Sequence, residues 1–415
     1  MPKVTVIIPS YNHAKFIGEA IQSVLDQTFQ DFEVLIRDDG SKDNSIEVIK
    51  QFTDSRIKFT ANPHNMGACY TVNTMIEEAN GEYIALLNSD DVWMLDKLEK
   101  QVKFLDENPQ YAAVFSDVEF INEEGYIFSD YIGYAWFLNP PTSKSAWLRS
   151  FFDLENHIAH PSMLIRSSIY NSVGLYNPLL FLTPDFEMWA RVLIHYDIHV
   201  LAEKLVNFRI LNDGKNASGS NPNNVSRFAF EARYVLDKLL EIRDLNLLQL
   251  MFPENAELIK KESLPCDISL ILGLIAMKNI NPIVAEWGAR VLFGVFSNDI
   301  QNISRYLLIY GVDANTVTLL LNNIDINQLK ANNERVHWLE GQVENYKLAL
   351  SQKEEGISWL EGQVENYKLD GIKQDEIIKE NSLTIEQQRL ELEVIYSSFS
   401  WRVTKLFRLF HKIFK

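Results

Sequence analysis

At 415 residues the chain exceeds one ordinary domain, so two or three units are expected. Its 47% hydrophobic share supports a large core, and its formal net charge of -17 argues against nucleic acid as a partner, because phosphate backbones need a basic footprint. Cys69 and Cys266 stand far apart without metal or disulfide spacing, which fits a reducing compartment.

The first ~230 residues alternate short β-branched runs with helical patterns, the signature of a mostly parallel sheet covered by helices. Val4–Ile8, closed by Pro9, reads as a buried strand; it is too short for an export signal. Ala14–Leu25 reads as a helix, Phe32–Ile36 as a strand, Ser45–Phe52 as a helix and Ile57–Thr60 as a strand. Met66–Ala79 is again helical, and Tyr83–Leu87 is a buried strand. Polar turns follow three of these strands: Pro9-Ser10-Tyr11-Asn12, Asp38-Asp39-Gly40-Ser41 and Asn88-Ser89-Asp90-Asp91. Open α/β sheets bind ligands at that carboxyl edge.

From about 231 to 328 the pattern becomes helical, with Leu236–Leu250, Asp267–Met277, Pro282–Phe296 and Ile303–Tyr310 as candidates. A packing or linker unit is the expectation there. The longest apolar stretch, Ile268–Met277, is far short of the ~20 residues a membrane span needs. Beyond 330, the run Trp338 through Lys347 recurs at Trp359 through Lys368, three heptads later. Val343, Leu350, Ile357, Val364, Ile378, Ile385 and Leu392 fall on one seam position, and Leu339, Tyr346, Leu360, Tyr367 and Ile395 on the other. That predicts an imperfect coiled coil over 330–397 and a homo-oligomer through it; a solitary amphipathic helix folded on the body is the rival. The last segment, 398–415, carries Arg402, Lys405, Arg408, Lys412 and Lys415 beside a face of Val403, Leu406, Phe407, Phe410, Ile413 and Phe414. Such a helix suits an anionic membrane surface, with docking onto the protein itself as the rival.

Val-Thr-Val-Ile-Ile-Pro-Ser-Tyr-Asn at 4–12, Ser23–Gln27, Asp38–Asp43, Asn65-Met66-Gly67 and Gly81–Asp91 together resemble family 2 glycosyltransferases, which have the GT-A fold. The resemblance covers roughly residues 1–225. It implies a first turn that cups the nucleotide base with Pro9, Tyr11 and Asn12, and a second in which Asp39 reads a uracil or thymine edge. A carboxylate accepting from the base N–H suits pyrimidines. Asn65 and Ser89 join the implied nucleotide-sugar site. Gly40 and Ser41 are expected to shape the turn and cap the next helix.

The family's Asp-any-Asp motif holds a divalent cation, Mn2+ or Mg2+, against the diphosphate. Here it reads Asn88-Ser89-Asp90. By position Asp90 is the implied metal ligand, and Asn88 keeps an amide able to meet the ribose. Asp91 is expected to cap a helix starting near Trp93. Inversion needs a base for the acceptor hydroxyl proton. Thr183-Pro184-Asp185-Phe186-Glu187-Met188-Trp189 resembles the family's segment for it, with Pro where Glu is usual. Asp185 is the implied catalytic base, an N-cap being its plain structural alternative, and Glu187 is expected to orient Asp185 or touch the acceptor. Phe208-Arg209-Ile210-Leu211 matches a later family segment with Leu211 where His is usual, and Lys215 stands near to meet phosphate. His160 reads as a packed structural histidine, and Trp136 and Trp147 as acceptor-stacking or core residues.

The expected whole is an inverting transferase with a GT-A domain over 1–230, a helical region over 231–328, a coiled coil and a membrane-surface helix. It would work in the cytoplasm at the inner face of the plasma membrane, on a glycan or lipid-linked acceptor of surface polysaccharide synthesis. The Ser398–Thr404 run resembles an ending common in bacterial polysaccharide transferases. A catalytically impaired scaffold is the second reading, for which Asn88 and Leu211 speak. A nicotinamide-dependent dehydrogenase fails because no Gly-any-Gly-any-any-Gly turn follows the first strand.

Overall fold

The computed structural model describes residues 1–127, 137, 139–211, 222–313 and 315–318. The heptad seam and the basic terminal segment lie outside the described residues, as do Trp136 and Lys215. Met1–Val317 form one compact unit.

Its first part runs β1 (Val4–Ser10), α1 (Ile17–Leu25), β2 (Phe32–Asp38), α2 (Ser45–Ile49), β3 (Ile57–Ala61), α3 (Ala68–Glu78) and β4 (Tyr83–Leu86). Next come β5 (Val92–Trp93), α4 (Lys97–Glu107), β6 (Tyr111–Ile121), α5 (Lys144–Phe152), β7 (Leu164–Arg166), α6 (Ser168–Val173), α7 (Pro184–His195) and β8 (Asp197–Arg209). All eight strands share one sheet in the order β3-β2-β1-β4-β7-β6-β8-β5. The first four strands run parallel, β7 is antiparallel to both its neighbours, β6 and β8 are parallel, and β5 closes the edge antiparallel to β8. The result is a mixed, mostly parallel, GT-A-like α/β sheet.

Helices cover both faces, so the strands read as near-continuous apolar runs. Along β1, Val4, Val6 and Ile8 join one core with Ile17, Ile21 and Leu98, while Ile7 joins the opposite core with Met75, Trp147 and Trp189. Trp147 is only 1% exposed and belongs to that core.

The second core also takes in the helical region: α8 (Pro222–Leu239), α9 (Leu245–Met251), α10 (Ile268–Ala276), α11 (Pro282–Asn298) and α12 (Ile303–Tyr310). Leu236, Phe252, Ile271 and Trp287 pack with Trp189 and Phe186 of α7. Truncating a fully buried Trp such as Trp287 to Ala would cost about 3–5 kcal/mol. The single helix expected over 236–250 is two. Asp244 accepts the Asn246 N–H at 2.8 Å and so opens a new helix, while Arg243 bonds the freed carbonyls of Leu240 and Ile242. At Gly288 an added Cβ would lie 2.6 Å from the Ala276 Cβ, so α10 and α11 meet backbone to backbone. Among the described residues no helix is long and apolar enough to cross a membrane.

Candidate active site

The three polar turns are laced to one another at the carboxyl edge of the sheet. Asn12, at φ 53, donates its N–H to the Ser41 hydroxyl at 2.8 Å and accepts the Lys42 N–H at 2.7 Å. His13 next to it reaches the third turn, its Nδ1 lying 2.7 Å from the Ser89 hydroxyl. Asp38 is fully buried and serves the turn alone, accepting the Ser41 N–H and hydroxyl at 2.8 and 2.6 Å. Ser41 therefore ties turns together and caps no helix; the N-cap of α2 is Asn44.

Asp39 is 4% exposed and accepts from Asn62 Nδ2, the Met66 N–H and the Gly67 N–H at 2.8, 2.8 and 2.9 Å. It thereby fixes the loop leading into α3, where Asn65 closes a turn on the same Gly67 N–H at 3.1 Å. Gly40 beneath that loop has φ +74, and a Cβ there would lie 2.5 Å from the His64 carbonyl carbon. Tyr11 remains 41% exposed at this edge, and the Ser10 hydroxyl is buried with no partner among the described residues. Pro9 pairs with Arg37 at the end of β1.

The third turn is braced from behind. Asp91 is 1% exposed, accepting the Arg209 N–H at 2.8 Å and the Asn88 amide at 3.0 Å. No helix starts near Trp93: the chain makes β5 there and α4 opens at Lys97, so Asp91 ties the turn to β8 and caps nothing. The buried Arg209 guanidinium bonds the carbonyls of Asp90 and Asn122 at 2.8 and 2.9 Å and pairs with Glu19 at 2.6 Å. Its role is to hold this turn. Gln27, from the 23–27 motif, bonds the Met94 carbonyl and the Leu98 N–H at 2.7 and 3.0 Å and locks the segment after the turn. Within this brace the Asp90 carboxylate accepts no hydrogen bond from any other described residue, and burial raises its pKa against the opposing charges of His13 and Arg209. Asp91 is pushed up further by burial and by the Asp90 charge.

Asp185 stands on the other side, in the first turn of α7 behind Pro184; the N-cap position belongs to Thr183. Among the described residues its carboxylate accepts one long hydrogen bond, from Asn156 at 3.4 Å. Its charge is felt at Cys69, His160 and Tyr176, which places these three around it. Burial pushes the Cys69 thiol up to about 12, with Asp185, Glu231 and Glu187 adding to it. His160 packs its ring 5.6 Å from Tyr176 and 5.8 Å from Trp189, and burial lowers its pKa. Glu187, expected to orient Asp185 or touch the acceptor, is buried in a two-point pair with Arg191 at 3.0 and 2.9 Å and lies 3.6 Å from Lys238 of α8. No hydrogen bond or ion pair joins the Asp185 carboxylate to the Asp90 turn among the described residues. The two sides meet through the turn at His160–Ser162, where Pro161 accepts the Trp93 indole N–H at 3.2 Å.

The family model for Glycosyl transferase family 2 matches residues 5–173. An uncharacterized glycosyltransferase of Methanocaldococcus jannaschii is 32% identical over 216 residues, covering 51% of this chain and 72% of that protein. The chain belongs to glycosyl transferase family 2. It is a glycosyltransferase.

Two further family members are each 39% identical over shorter spans. One is the Escherichia coli UDP-Glc:alpha-D-GlcNAc-diphosphoundecaprenol beta-1,3-glucosyltransferase WfgD, matched over 30% of this chain and 49% of that protein. The other is the putative teichuronic acid biosynthesis glycosyltransferase TuaG of Bacillus subtilis, matched over 30% of this chain and 50% of that one. The chain thus spans about half the length of these two relatives. The solved structure of S. aureus TarS 1-349 is a distant likeness, aligning at 19% identity and a TM-score of 0.48 over 72% of this chain and 88% of that one.

The family match ends at Val173, so Asp185 and all of α8–α12 lie beyond it. His13, Asn156 and Glu231 contact the candidate site at Ser89, Asp185 and Thr183, and the sequence motifs did not flag them. His13 directly follows the first turn and is within reach of the motif; Asn156 and Glu231 carry no local signal.

Proposed function

We propose that this family 2 glycosyltransferase is an inverting enzyme, moving a sugar from a UDP- or dTDP-sugar to a glycan or lipid-linked glycan acceptor in surface polysaccharide synthesis. The observation that carries this reading is the lacing of three strand-end turns into one polar edge. That edge leaves Tyr11 exposed and Asp90 without a hydrogen-bond donor among the other described residues. In it, Pro9, Tyr11 and Asn12 flank the base, Asp39 accepts from its N–H, and Asn65, Asn88 and Ser89 line the sugar-phosphate path. Asp185 takes the proton as the acceptor oxygen attacks the anomeric carbon and the nucleoside diphosphate departs from the opposite face.

Asp90 fits a divalent cation, Mn2+ or Mg2+, because it is a nearly buried carboxylate that no other described residue satisfies. One protein carboxylate completed by diphosphate oxygens is an ordinary set for such ions. A bound cation would offset charge on the leaving diphosphate. The names of these two relatives, with a diphosphoundecaprenol acceptor in one and teichuronic acid biosynthesis in the other, support the polysaccharide setting. A coiled coil over 330–397 and an anionic membrane surface under 398–415 would hold the enzyme at the inner face of the plasma membrane, close to such acceptors.

The test is turnover of a panel of UDP-, dTDP- and GDP-sugars with and without Mn2+, using membrane extract as acceptor. Wild type runs beside Asp185→Asn and Asp90→Asn. One pyrimidine donor should turn over, with kcat falling about 10²- to 10⁴-fold in Asp185→Asn while UDP still binds. Asp90→Asn should lose the Mn2+-dependent part of UDP binding. A folded sample that binds no nucleotide-sugar at all would leave the scaffold as the better reading.

A further inference from the structure

The base has little side-chain anchorage of its own. Its one described hydrogen bond is the 3.4 Å contact from Asn156. The position of Asp185 must therefore come from the backbone it stands on, and that backbone is gripped by a distant residue.

Glu231 lies on α8 and is 2% exposed. Its Oε1 accepts the Phe181 N–H at 3.0 Å, and its Oε2 accepts the N–H groups of Leu182 and Thr183 at 2.8 and 3.0 Å. The Thr183 hydroxyl adds a bond at 3.3 Å, and Arg227 Nε completes the set on Oε1 at 3.0 Å. Three successive backbone donors converging on one carboxylate make an anion nest filled by the protein's own side chain. Thr183 is the N-cap of α7, and Asp185 follows two positions on. A negative charge here also favours the helix N-terminus. One helical stretch further along α8, Lys238 reaches Glu187 at 3.6 Å, so α8 holds α7 at a second point.

We propose that Glu231 is a positioning residue for the transfer: it fixes the peptide from Phe181 to Thr183 and through it the Asp185 carboxylate. This rests on Asp185 being the base. It gives the helical region a part in the chemistry beyond packing.

The test is a mutant cycle on the full chain, read by transfer kinetics with the active donor of the panel and by UDP calorimetry. Glu231→Gln keeps the shape but turns an amide N–H toward backbone donors. It should lower kcat on the order of 10- to 100-fold, as small misplacements of a reacting group do, with UDP affinity unchanged. Combined with Asp185→Asn it should add nothing, because both act through one group. Thr183→Val removes only the 3.3 Å bond and should give a loss of a few-fold with the same lack of additivity. It decides the matter if Glu231→Gln fails to fold. A folded Glu231→Gln with wild-type kcat, or a loss that multiplies onto Asp185→Asn, overturns the positioning role alone. An Asp185→Asn that transfers at the wild-type rate sinks the base reading first, and this one with it.

Discussion

The proposed donor edge and the proposed base side of this enzyme are built on opposite plans. At the donor edge each functional turn directly follows a strand, and its neighbours are the next turns of the same motif set: Asn12 on Ser41, His13 on Ser89, Asp39 on Met66 and Gly67. On the proposed base side the segment leading into Asp185 is gripped by a carboxylate nearly fifty residues further along the chain, on a helix outside the family match. A site made of local turns tolerates little change within each turn. A site held at long range depends on the packing of a whole helical layer, so damage to the two should read out in different constants.

Gly40→Ala tests the first half with the largest expected effect. The position has φ +74, and the new Cβ would press within 2.5–2.8 Å of His64 and Asn65 backbone atoms. Strain and overlap together should cost about 2–4 kcal/mol in denaturant unfolding and weaken UDP binding in parallel. Equal stability in the variant would mean the loop is not seated on that turn.

Asp39→Asn separates the halves more finely. The substitution puts an amide among three donors that now meet a carboxylate, each a charge-assisted bond. UDP affinity should fall about 10- to 100-fold, in line with about 1.5–3 kcal/mol for a bond to a charged group, with turnover at saturating donor much less affected. Asp185→Asn should show the reverse split. Both variants striking the same constant would abolish the contrast between the two sides.

The sequence carried the donor edge well because its logic is local. A β-branched run ending in Pro9, or in Asp38-Asp39-Gly40, states both the strand and the turn after it. What it misassigned was the work done inside the turns. Asp91 and Ser41 look like helix caps by residue type, yet they tie turns to a strand and to each other, because α4 begins four residues beyond Trp93 and α2 begins at Ser45. Arg209 stood out only as part of a later family segment, yet it is 1% exposed and bonded to main-chain carbonyls. Glu187 and Glu231 show the limit most clearly. Both are acids near the base segment, one by sequence and one by folding, and only the packing of α8 on α7 reveals that both are anchors. The helix expected across 236–250 failed for a local reason: apolar spacing persists through a segment where Asp244 opens a new helix.

Lys97 offers the smallest effect and the sharpest sign. It is fully buried at the start of α4, bonded to Gln101 at 2.7 Å, with its ammonium 4.0 Å from the Trp93 ring centre. No carboxylate pairs with it among the described residues, and burial holds its pKa well below the ordinary 10.5. A lysine with a depressed folded pKa penalises folding fully below that value, and the penalty is relieved as pH rises toward 10.5. In that window the unfolded chain binds more protons, so stability attributable to Lys97 rises with pH, by at most about 1.4 kcal/mol per unit. Lys97→Met removes the charge but leaves Gln101 Oε1 without its donor, so the two forms should be nearly equal in stability near neutrality. The difference should then move in favour of wild type as pH is raised toward about 10, measured as paired urea melts. The Trp93–Lys97 pack supports the turn that carries Asp90, so a flat difference would show that the ammonium reaches water and that this end of the donor edge is looser than its contacts imply.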